Sequence, residues 1–120
     1  MGLKQELKEL QERSRGVFIP IAREFAISKF NEINKDLMNL TKECASLGKH
    51  DVQFEAATPL HVRELSALVL GNKTAREGTL DHYRLELYRD EILTLLRKEH
   101  PDLDFRILTS QPRMIYINWA

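Results

Sequence analysis

From Phe30 onward the apolar residues fall at Phe30, Ile33, Leu37, Leu40, Cys44 and Leu47. The steps alternate between three and four, the spacing of a seam that packs against another helix. Upstream the stripe broadens to Ile21, Ala22, Phe25, Ala26 and Ile27, as suits a helix set into a globular core. Pro20 fits a first helical position, where its missing N–H costs nothing. Gly48 fits the C-cap. The pattern predicts one long central helix over about 20–47, about 42 Å from end to end.

Residues 1–15 hold a second helical pattern, with Leu3, Leu7 and Leu10 on one stripe. A helix this short is marginal in water by itself, so its leucines need something to dock on. Ser14-Arg15-Gly16 breaks the pattern and predicts a stop, with Gly16 just past the helix end. One continuous helix kinked at Pro20 is the alternative.

After Gly48, Val52, Phe54 and Ala56 alternate with Gln53 and Glu55, which predicts a short strand. Thr58-Pro59 is a strong helix start, a capping side chain followed by proline. The region 59–99 reads as a helical pair. Its first helix runs to about Leu70 with Leu60, Leu65, Leu68 and Val69 inward. The second is capped by Thr79 and runs to about Glu99, where Pro101 stops it. The period then changes to two. The residues 104–119 read as a β-hairpin turning at Ser110-Gln111-Pro112-Arg113. An isolated hairpin is unstable, so the 52–56 strand is a natural third member. The expected fold is a single α+β domain over 1–120 with four helices and a small antiparallel sheet.

Composition narrows the function. The chain carries 18 basic and 18 acidic residues, so it exerts no general pull on nucleic acid or anionic lipid. Zero net charge also favours association. The lone Cys44 cannot form an internal disulfide, which suggests a reducing, cytoplasmic setting. Apolar runs fall far short of the about 20 residues a membrane helix needs. Lys4, Glu6, Lys8, Glu9 and Glu12 occupy the place of a secretory h-region, so no signal peptide is expected.

Chemistry-bearing motifs are weak. His50, His61, His82 and His100 are not paired at metal-ligand spacings. Gly71-Asn72-Lys73-Thr74 resembles the end of a phosphate loop but lacks its other glycines. Asp81-His82 could begin an acid–base pair, yet no nucleophile accompanies it, and Cys44 falls on the apolar seam. No enzyme, metal or cofactor is expected.

Two functions remain. The first is a non-enzymatic protein-protein interaction or assembly subunit, binding itself or another protein. It would sit within a larger multiprotein or viral particle. Its expected interface is Leu3, Leu7, Leu10, Ile33, Leu37, Leu40 and Leu47. The second is nucleic-acid binding in the manner of a winged helix, an analogy of element order. Arg84, Arg89, Arg97 and Lys98 of the last helix and Arg76 of the polar loop before it would face phosphates, with Arg113 at the wing tip. Glu77, Asp81, Glu86, Asp90 and Glu91 interleave with those arginines and weaken that reading.

Overall fold

The computed structural model describes residues 2–70 and 80–120, with Leu70 described for its backbone alone. The element order is α1 (Leu3–Ser46), β1 (Asp51–Glu55), α2 (Pro59–Leu70), α3 (His82–Glu99), β2 (Asp104–Ile107) and β3 (Met114–Asn118). The class is α+β, with three helices among the described residues where four were expected. The expected helices 1–15 and 20–47 are one helix of 44 residues.

The merger has a physical cause. Gly16 keeps a negative φ, and among the described residues only Gly48 has a positive one, at 84°. Glycine inside a helix costs about 1 kcal/mol, which slows a helix without ending it. Starting a second helix would require a new, unfavourable nucleus, whereas extending an existing one adds a hydrogen bond per residue. Pro20 lacks the N–H that would bond Gly16 carbonyl, so the ladder is weakest there. A straight 44-residue helix measures about 66 Å. The molecule extends 57 Å along its longest principal axis, so α1 does not run straight along that axis. The true stop comes where the sequence places it. Gly48 N–H donates to Ala45 O over 3.0 Å and Lys49 N–H donates to Cys44 O over 3.0 Å, the paired closure of a left-handed glycine cap.

One buried cluster joins α1, α2, α3 and all three strands. Phe18, Ala22, Phe25, Ala26, Ile33 and Leu37 supply the α1 face, and α3 adds Leu85, Tyr88, Ile92, Leu93 and Leu96. The helix α1 packs chiefly on α3. Ile33, Leu37 and Cys44 of the distal seam are thus covered within the chain, whereas Leu47 at its end is exposed.

The sheet is antiparallel in the order β1-β3-β2. Phe54 sits opposite Ile115, and Phe105 opposite Ile117; all four are buried, so this face meets the helices. Tyr116 stands on the other face between Gln53 and Arg106 and donates to Asp51 Oδ2 over 2.9 Å.

The inward set of α2 and the cap of α3 differ from expectation. Leu60 and Leu68 of α2 are exposed, while Val62 and Leu65 are buried beside His61 and Ser66. The helix is turned so that His61 meets Phe25 and Glu32 of α1, and Thr58 Oγ1 accepts from His61 N–H over 3.3 Å. At α3 the cap is Asp81, whose Oδ1 accepts from Arg84 N–H over 2.8 Å. Thr79, the expected cap, lies outside the described residues.

Candidate interaction surface

Residues 3–13 of α1 form an arm in which every side chain is exposed. Leu3, Leu7 and Leu10 stand 68%, 55% and 57% exposed, and Val17 64%. Their spacing, with Ser14 between Leu10 and Val17, alternates four and three, the period of a two-helix seam. The arm lengthens the molecule. Its radius of gyration is 16.2 Å, against about 13.6 Å for a compact chain of this length.

The arm is fixed at its base. Arg84 Nη2 donates to Ser14 Oγ over 2.8 Å, and Arg84 Nη1 donates to Asp81 Oδ2 over 2.7 Å. The Arg84 guanidinium also lies 5.9 Å from the centre of the Phe18 ring, within cation–π range. Phe18 is buried. A groove of about 290 Å³ lies here, lined by Arg13, Ser14, Val17, Phe18, Val69 and Arg84.

The expected interface residues divide into two groups. Leu3, Leu7, Leu10 and Leu47 are exposed. Ile33 and Leu37 are buried in the chain's own core, and Leu40 packs against it half-buried. Ile33 and Leu37 therefore offer no surface to a partner. Sequence reasoning missed Val17, because the stop expected at Gly16 cut the stripe before it.

The expected phosphate-facing set does not share one face. Arg76 lies outside the described residues. Arg84 is tied to Asp81 and Ser14. Arg89 is 3% exposed and pairs with Asp90 over 3.0 Å. Arg97 donates to Phe105 O over 3.0 Å. Lys98 is exposed, but it sits at the far end of α3 from Arg84, about 20 Å along the axis. Arg113 is half-buried, and its carbonyl accepts from Ala56 and Ala57.

A polar cluster fills the junction of α1, α2 and α3. His61 Nε2 lies 3.2 Å from Glu32 Oε2, and Lys29 Nζ lies 2.8 Å from Glu64 Oε2. The hydrogen bond to Glu64 raises the Lys29 pKa against a smaller opposing effect of burial. Burial raises the Tyr88 hydroxyl well above the ordinary tyrosine value, and the charges of Glu64 and Glu32 add to it. His61 Nδ1, Ser66 Oγ and Tyr88 Oη are buried without hydrogen-bond partners among the described residues. None of the three residues lines the grooves beside α1. Among the described residues no three His, Cys, Asp or Glu side chains gather as metal ligands, and no helix is long and apolar enough to cross a membrane.

No protein family, curated protein or solved structure matches the chain. The class its own geometry defines is an α+β domain with a projecting helical arm.

Proposed function

We propose that this chain is a non-enzymatic interaction or assembly subunit that docks through the arm of α1. The carrying observation is the exposed stripe of Leu3, Leu7 and Leu10 at two-helix spacing on a helix that outruns its own body. Scattered surface leucines are ordinary; three in register on an otherwise unsupported helix are not. Burying a leucine fully is worth about 1.5–3 kcal/mol, so the stripe can drive a specific but reversible contact. Zero net charge removes a barrier to association, and the free thiol of Cys44, buried in the core, agrees with a reducing compartment. The host would be a larger multiprotein or viral particle in such a compartment. Cross-linking and mass spectrometry of complexes from the source cell test this reading. Leu7→Asp with Leu10→Asp should abolish the principal protein contact of the wild-type chain. An unchanged set of contacts would overturn the reading.

A further inference from the structure

We infer that the occupant of the arm is the arm of a second copy of this chain, laid antiparallel against it; the inference rests on the interaction reading above. In the seam Leu7 and Ser14 are equivalent positions, as are Leu3, Leu10 and Val17. The residues flanking such a seam meet across a two-helix contact and decide orientation and partner. On one flank stand Glu6 and Arg13, and on the other Lys4 and Gln11. In an antiparallel pair each flank meets its own counterpart. Placing Leu7 against the partner's Leu10 then sets Glu6 beside the partner's Arg13, twice by symmetry, and Lys4 beside the partner's Gln11. Shifting the pair by one heptad in either direction sets Glu6 on Glu6 or Arg13 on Arg13. A parallel pair sets Glu6 beside Gln11 and forms no ion pair. One arrangement of the four is therefore favoured by charge, and it also lays leucine on leucine.

The shape of the molecule fits the same arrangement. The overlap runs from Leu3 to Ser14, about 18 Å. It ends at Ser14, where Arg84 joins the arm to the body, so the two bodies lie at opposite ends. Glu6 and Arg13 are both exposed and able to reach across. The overlap draws only on residues between Leu3 and Ser14, fewer than the about 20–30 a side of a standard stable interface, so the dimer forms and dissociates in a concentration-dependent way.

Sedimentation velocity on the full chain tests it. The wild type should show a reversible monomer–dimer equilibrium. Glu6→Arg and Arg13→Glu should each weaken self-association by about tenfold or more. An equimolar mixture of the two variants should regain it, because both pairs between positions 6 and 13 are then of opposite sign. The mixture also shows that neither variant has lost its fold. A wild type that stays monomeric, or a mixture no better than its parts, would overturn the second-copy assignment. If the wild type is monomeric and Leu7→Asp with Leu10→Asp still removes a different protein from the cross-linked set, only the second-copy assignment fails. If that double variant changes nothing, the interaction reading fails with it.

Discussion

Arg84 and Ser14 are 70 residues apart in the chain, and the Arg84 guanidinium donates to Ser14 Oγ over 2.8 Å. This bond marks the boundary between the supported and the projecting parts of α1. Downstream of it Phe18 enters the core; upstream, residues 3–13 are exposed throughout. Arg84→Ala should cost about 1 kcal/mol, the ordinary worth of a partly exposed charge-assisted hydrogen bond. Urea unfolding measures that loss, and amide exchange at residues 14–18 should quicken more than exchange at the centre of α3.

Two leucines of the same helix should behave in opposite ways. Leu37 is fully buried and Leu7 is 55% exposed. Leu37→Ala should cost about 2–5 kcal/mol by opening a cavity. Leu7→Ala should change monomer stability by no more than about 0.5 kcal/mol. Chemical denaturation of both at low protein concentration separates core seam from free stripe.

Gly16 is a weak point of α1 that invites repair. A Cβ built there meets nothing within 4 Å, and its φ is not in the left-handed region. Gly16→Ala should therefore stabilise the helix by about 0.5–1 kcal/mol. Far-UV circular dichroism should show gained helicity that persists to higher temperature.

Alkaline stability should depend on Tyr88. Its folded-state pKa is raised above the ordinary 10.0, chiefly by burial. Below pH 10.0 both folded and unfolded forms hold the proton, and the contribution is complete. Above it the unfolded tyrosine ionises while the buried one stays neutral, so stability falls as pH rises. The slope from this group approaches about 1.4 kcal/mol per pH unit. Tyr88→Phe should flatten the alkaline limb of a stability–pH profile and leave the neutral region with the same slope as the wild type.

The elements were largely legible because local signals agreed with one another. Gly48, Thr58-Pro59 and the change to period two after Pro101 each mark a boundary that the fold obeys. The break at Ser14-Arg15-Gly16 was misleading, since a glycine and a proline weaken a helix without stopping one already nucleated. The face of α2 was also hidden. Leu60 and Leu68 look inward on composition, yet the buried positions include His61 and Ser66, which only the tertiary junction with α1 and α3 selects. As for the surface, the leucine stripe of the arm was visible in the spacing. Which half of α1 stays free was not, because the distal seam and the arm carry the same period, and only packing decides that Leu37 is covered and Leu7 is not.

The most direct measurement is hydrogen exchange at the amides of residues 6–13, read first in dilute solution and again as the protein is concentrated. Dilute chains should exchange these amides much faster than those of α3, and concentration should slow the arm alone. Protection equal to α3 in dilute solution would place the leucines against the chain's own body, and exchange unmoved by concentration would leave them without a partner copy. Either result would contradict the account.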